Sequence, residues 1–235
     1  MLGPVVNAAS IVVFSLIGTF LIKGIPERIE EILKKAIGLC VVFVGIKGAF
    51  DSERMLLLVV SMILGALIGE LIDIDKWMNK LGMWAESKLV TKKQTVTKNS
   101  FSKGFVSATV LFCTGSMAII GSMQSGLSAN HQILFTKSVM DGSMSLVFGA
   151  SFGIGAAFSA IPLLLYQGGI ALFSFYIRDL LNPQIILEVS AVGSLVISAI
   201  GFNFLGIKEI KVANLIPAMF IPLIYLSIAG YFIQI

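Results

Sequence analysis

Charge is what this chain has least of. Asp, Glu, Lys and Arg make up 13% of its 235 residues, about half the share of a soluble domain, near 25%. A protein in water covers its core with polar side chains, and this one has too few. A soluble fold is therefore excluded. Cysteine occurs twice and histidine once. That scarcity leaves no disulfide framework and no Cys/His metal signature. Cys40 and Cys113 both lie in apolar runs, where cysteine acts as a small hydrophobe. Strict apolar–polar alternation is missing too, which removes a membrane β-barrel. There is no His pair, no Ser/Lys or Asp/Asp constellation at recognisable spacing, and no phosphate-cradling loop. Neither an enzyme nor a cofactor is expected.

What is present is apolar: 57% hydrophobic residues and a mean hydropathy of +0.96. Nearly every apolar run exceeds about 17 residues, long enough for a membrane helix. The expected fold is an all-α integral membrane protein with about eight transmembrane helices. The spans read Val5–Ile22, Ala36–Phe50, Met55–Ile72, a fourth from Gly104 into Phe112–Leu127, Ser138–Phe158, Ser159–Leu180, Pro183–Leu205 and Ala213–Ile233. Between them, Asp73–Lys103 differs in character. Trp77, Met78, Leu81, Trp84 and Leu89 recur at roughly helical spacing among Lys76, Lys80, Glu86 and Lys88, which suits an amphipathic helix on the membrane surface. Thr91–Ser100 follows as a polar linker.

The net charge of +4 follows topology rather than nucleic acid, because the lysines gather in loops beside apolar runs. Thirteen Lys and Arg fall on one side of the eight-span arrangement and four on the other. Positive residues stay inside, so both termini are expected outside and Asp73–Lys103 in the cytoplasm. No signal-peptide pattern precedes the first helix, so that helix is expected to stay. Ala36–Val42 (AIGLCVV) resembles Ala191–Ile197 (AVGSLVI) in spans of opposite direction. Three-helix inverted repeats, a common transporter plan, would then flank a central helix pair. The expected division is 1–72 as an N-terminal three-helix unit and 73–103 as surface helix and linker. A central Gly-rich pair at 104–158 and a C-terminal three-helix unit at 159–235 complete it.

Phe112–Leu127 (FCTGSMAIIGSMQSGL) is apolar enough for a bilayer, yet carries Cys113, Thr114, Ser116 and Gln124. Lipid offers such groups no partners, so they should face protein, water or a ligand. Gly115, Gly121 and Gly126 oppose a smooth helix, since each costs about 1 kcal/mol relative to Ala. A broken or re-entrant segment is expected, at Cys113–Ser116 or at Gly121–Gly126. Downstream, Lys137 and Asp141 are four apart and share a helix face. Either they are interfacial residues, or Asp141 sits in a cavity binding a cation or proton with Lys137 as counter-charge. Gly149 and Gly153, like Gly65 and Gly69, have the spacing of close helix packing, the latter pair between subunits. Asn7 and Gln167 are candidates to line the same site. Asn203 and Asn214 read as interhelical hydrogen-bonding groups. Glu70 and Glu188, near span ends, should face headgroups or the protein boundary. His131 receives no role.

These residues carry a resemblance. GPVVNAASI (Gly3–Ile11), LGALIGELIDID (Leu64–Asp75), FCTGSMAIIGSMQSGL, KSVMDG (Lys137–Gly142) and QGG (Gln167–Gly169) together make the chain similar to a bacterial membrane family, domain of unknown function 554, the YdfK/YqgA-type proteins. The resemblance covers nearly the whole length and implies a multi-pass protein of the bacterial inner membrane. It implies no substrate and no catalytic residue. The expected function is a transporter or channel-like carrier for a small ion or polar solute, coupled to a cation or proton through Asp141. Its partners would be the lipid bilayer, the solute and further copies of itself as a homo-oligomer, with no nucleic acid. The alternative is a non-transporting scaffold or sensor subunit that binds partner helices through its glycine faces.

Overall fold

A computed structural model describes residues 1–21, 27–78, 80, 100–178, 181–207 and 209–233. Among them every regular element is helical. The helices are α1 (Leu2–Leu21), α2 (Glu27–Ala49), α3 (Met55–Ile72), α4 (Ser100–Cys113), α5 (Ser116–Leu127) and α6 (Gln132–Phe152). There follow α7 (Gly155–Phe158), α8 (Ala160–Ile177), α9 (Pro183–Leu205), a 3₁₀ segment (Val212–Met219) and α10 (Phe220–Ile233). The greater part of the expected surface helix and the linker Thr91–Asn99 lie outside the described residues. Within the described part, residues 74–78 are helical, Trp77 is exposed and Lys80 Nζ lies 5.2 Å over its ring.

The boundaries follow local chemistry. Asn182 caps α9 by accepting the Ile185 N–H at 2.9 Å, and Pro183 occupies the first helical position, where its missing donor costs nothing. Gly206, at φ 71°, closes the same helix. Between α4 and α5 stands Gly115 at φ 104°, and the two helices meet at a 64° bend. The segment expected to break does so at Cys113–Ser116, whereas α5 runs through Gly121 without interruption.

Among the described residues, four helical segments are long and apolar enough to cross a membrane: Leu2–Phe20, Met55–Ile72, Gly155–Ile177 and Pro183–Leu205. Taken as one broken span, the bent α4–α5 pair adds a fifth. The other three expected spans each depart from that form for a visible reason. Ala36–Phe50 continues a helix whose first turns carry Glu27, Arg28, Glu30, Glu31, Lys34 and Lys35. Ser138–Phe158 sits largely in α6, where Lys137, Asp141 and four serines lower the hydropathy. Ala213–Ile233 is divided into 3₁₀ and α pieces with Pro217 inside the first.

The chain forms two compact units, each assembled from three separate stretches of the sequence. The first comprises Met1–Leu33, Lys76–Cys113 and Met117–Phe175. Its spine is α1 lying parallel to α6: Gly3 meets Leu134, Gly142 meets Ser10, and Gly18 meets the Leu146 backbone. Gly149 abuts the Ser15 backbone, so no β-carbon fits there. Hydroxyls reinforce the seam, Ser10 donating to the Ser138 carbonyl at 2.7 Å and Thr19 to the Gly149 carbonyl at 3.1 Å. Buried Phe112 and Phe148 pack ring to ring at 6.1 Å beside it.

The second unit comprises Lys34–Asp75, Thr114–Ser116 and Tyr176–Ile235. Here α2 runs antiparallel to α9, with Gly38 against Gly201 and Leu205, Gly45 against Ser198, and Gly48 against Ser194. Likewise α3 runs antiparallel to the 3₁₀ segment, Gly65 fitting onto the Ala218 backbone and Gly69 onto Asn214. Leu58, Ala191, Val192 and Ala218 form a core there. The Gly65/Gly69 face is thus filled by the chain itself, not by a neighbouring subunit. Gly153 also differs from expectation. It ends α6 at φ 71°, and a β-carbon on it would meet nothing within 4 Å, so it serves a turn and not a close approach.

Candidate functional site

The first unit concentrates its buried polar chemistry where α1, α6 and α8 converge. Lys137 and Asp141 lie one turn apart on α6, and both are nearly inaccessible, at 6% and 7% exposure. Lys137 Nζ stands 2.8 Å from each carboxylate oxygen of Asp141. Asn7, fully buried on α1, donates from Nδ2 to Asp141 Oδ2 at 2.9 Å. The same nitrogen donates to Gln167 Oε1 on α8 at 3.3 Å, and Gln167 is also fully buried. Four of the eight sequence candidates for solute binding are therefore one hydrogen-bonded cluster.

The cluster is neutral as a whole and incomplete in detail. The Lys137 ammonium balances the Asp141 carboxylate, as a buried ion must be balanced. Two atoms remain without a hydrogen-bond partner, Asn7 Oδ1 and Gln167 Nε2. Leaving a buried polar atom unpaired costs about 1–3 kcal/mol, so these two stand out against an otherwise satisfied network.

The remaining candidates fall elsewhere. Cys113 ends α4, partly buried, within electrostatic range of Lys137, Asp141 and Tyr166. Thr114 and Ser116 belong to the second unit, where Thr114 Oγ1 is 3.9 Å from Met219 Sδ and Gly193 packs beneath its methyl group. Gln124 is half-buried on α5, its backbone carbonyl taking the Ser128 hydroxyl and the Asn130 N–H. His131 precedes α6 and shares a 2.9 Å hydrogen bond with Ser125.

The second unit holds a carboxylate that spacing alone misplaces. Glu188 does not face a headgroup region; it is fully buried in α9. Its Oε2 accepts the Ser52 hydroxyl and its Oε1 the Glu53 N–H, tying the α2–α3 turn to α9. The available signal was a charged residue inside an apolar run, which favours the protein interior. Glu70 is exposed as expected, paired with Lys211 at 2.6 Å and with Asn214. Asn214 also accepts the Asp75 N–H, and Asn203 clamps both backbone groups of Ile210. Those two amides are structural.

A helical bundle with several membrane-length apolar helices and a charge-balanced polar cluster inside one unit defines a multi-pass integral membrane protein. More narrowly, the chain belongs to the family described as protein of unknown function DUF554, whose model it matches over residues 2–227. It is 34% identical over 226 residues to the uncharacterized membrane protein YdfK of Bacillus subtilis (strain 168), covering 94% of each chain. It is 30% identical over 223 residues to the uncharacterized protein YqgA of Escherichia coli (strain K12), covering 95% of each. No solved structure matches it.

Proposed function

We propose that this chain is a transporter or channel-like carrier for a small ion or polar solute in the bacterial inner membrane, with Asp141 as its coupling carboxylate. The observation that carries the reading is the Lys137–Asp141–Asn7–Gln167 cluster, contributed by three helices distant in sequence. Ionisable groups inside membrane proteins are expensive, and they concentrate on substrate and proton pathways. The break at Gly115 adds the discontinuous helix that many carriers use near their sites.

The topology proposed with it has eight spans, both termini outside and the lysine-rich 73–103 segment cytoplasmic. The directions seen within each unit support that count. In an eight-span arrangement the first and fifth spans run alike, as α1 and α6 do, while the second opposes the seventh and the third the eighth, as α2 opposes α9 and α3 the 3₁₀ segment. The two antiparallel pairs favour inverted three-helix repeats. A scaffold that binds partner helices by its glycine faces has less support, because Gly65, Gly69 and Gly149 are already covered within the chain. A homo-oligomer loses the same argument.

Asp141→Asn tests the proposal. In proteoliposomes or in cells lacking the native protein, coupled uptake should disappear while the purified variant keeps its helix content and elution volume. Unchanged transport overturns the role given to Asp141.

A further inference from the structure

The two unpartnered atoms describe what the cluster takes. We infer that the site binds a small uncharged solute bearing a hydrogen-bond donor next to an acceptor, an amide- or urea-like group, held between Asn7 Oδ1 and Gln167 Nε2. The inference rests on the carrier reading above and narrows its substrate class.

A carboxylate accepts only, and Lys137 donates only. Asp141 therefore requires the nitrogen of Asn7 to face it, which it does at 2.9 Å. That same nitrogen reaches Gln167 at 3.3 Å, so Gln167 must turn its oxygen toward Asn7. Both amide orientations are set by the carboxylate, and each leaves its opposite atom over: an oxygen on Asn7 and an NH₂ on Gln167. Both residues are fully buried, so bulk water does not satisfy them. A ligand that completes the network must offer one donor and one acceptor.

Ions fit this arrangement poorly. A bare cation needs several oxygen ligands, whereas Asn7 has one spare oxygen and Lys137 sits in the same cluster. An anion would find the Gln167 donor but meet the Asp141 carboxylate. Because Lys137 already balances Asp141, a neutral guest leaves the charge even. The chain also leaves slack beside Gln167. Gly18, Gly126, Gly149 and Gly155 of this unit all press on backbone atoms. By contrast, a β-carbon at buried Gly168 would meet only the flexible end of Met1, at 3.4 Å.

The test uses the purified full chain in proteoliposomes, with urea, acetamide and glycerol permeation followed by stopped-flow light scattering beside sodium and potassium flux. Urea or acetamide should cross at least about tenfold faster than in protein-free vesicles. Gln167→Met, which removes the spare donor, should lower that rate about tenfold, as the loss of one hydrogen bond would. Gly168→Leu fills the slack without altering the cluster and should also slow permeation, so the inference stays testable if Gln167→Met does not fold. Sodium or potassium flux without urea or acetamide flux overturns the neutral-solute inference and leaves the carrier reading standing. No flux of any probe overturns both. Urea or acetamide flux indifferent to Gln167→Met, or to Gly168→Leu where the first does not fold, overturns the assignment of this site.

Discussion

Glu188 Oε2 accepts the hydroxyl of Ser52 at 2.6 Å, across 136 positions of sequence. The contact pins the α2–α3 turn to the buried face of α9, and the Glu53 N–H adds a second donor at 3.1 Å. A carboxylate held this way is costly to strip of one partner and cheaper to replace outright.

Ser52→Ala should therefore destabilise the protein by about 1–3 kcal/mol, the cost of leaving a buried acceptor short. Thermal unfolding in detergent should place it below wild type. Adding Glu188→Leu to Ser52→Ala should return part of the loss. If the double variant is worse than the sum of the singles, the staple is misassigned.

Lys137 and Asp141 should behave as one unit. Lys137→Met leaves a buried carboxylate uncompensated, and breaking a buried pair costs about 3–5 kcal/mol. The double variant Lys137→Met/Asp141→Leu, which removes both charges, should unfold closer to wild type than Lys137→Met does. Differential scanning fluorimetry of the three proteins compares them directly.

The glycines divide into two groups. Gly149→Ala must push on the Ser15 backbone and Gly65→Ala on the Ala218 backbone, so each should lose on the order of 1–3 kcal/mol by overpacking. Gly169→Ala meets no atom within 4 Å and should be silent or slightly stabilising. Equal losses at all three positions would contradict the seams described for the two units.

Gly115 adds a different cost. A β-carbon there meets nothing within 4 Å, yet φ is 104°. Gly115→Ala should lose about 1–2 kcal/mol through backbone strain alone. An unchanged unfolding temperature would mean that the break between α4 and α5 tolerates another geometry.

Lys211 lies in an exposed loop, and the Glu70 carboxylate bonded to it holds its amine above the ordinary lysine range. A raised lysine contributes while protonated and loses that contribution as pH rises through its folded-state value, which here lies above the ordinary lysine range. Both partners are solvent-accessible, so salt screens them. Lys211→Gln should leave the unfolding temperature unchanged at neutral pH and physiological salt.

The sequence revealed the membrane class because so few charges cannot cover a soluble core. It also exposed the central pair, since Lys137 and Asp141 are one helical turn apart and spacing alone brings them together. Asn7 and Gln167 were legible only as polar residues in apolar helices. Their meeting depends on α1 and α8 converging on α6, across separations of 134 and 160 residues, which no local pattern encodes. Glu188 was misplaced for the same reason, its partners lying on a distant turn. Gly153 matched a packing spacing but ends a helix, because GxxxG does not distinguish a contact from a C-terminal cap. The neighbouring polar residues Cys113, Thr114 and Ser116 looked like one site, yet Cys113 belongs to the first unit and Thr114 and Ser116 to the second.

The 3₁₀ turn of Val212–Met219 changes how far the last apolar stretch reaches. Counted as an α-helix, the stretch Val212–Ile233 would extend about 33 Å. Eight of its residues instead advance about 2.0 Å each. The contour along the helical axes then comes to about 37 Å, so the tighter winding carries the segment well past a hydrocarbon core near 30 Å without adding a residue.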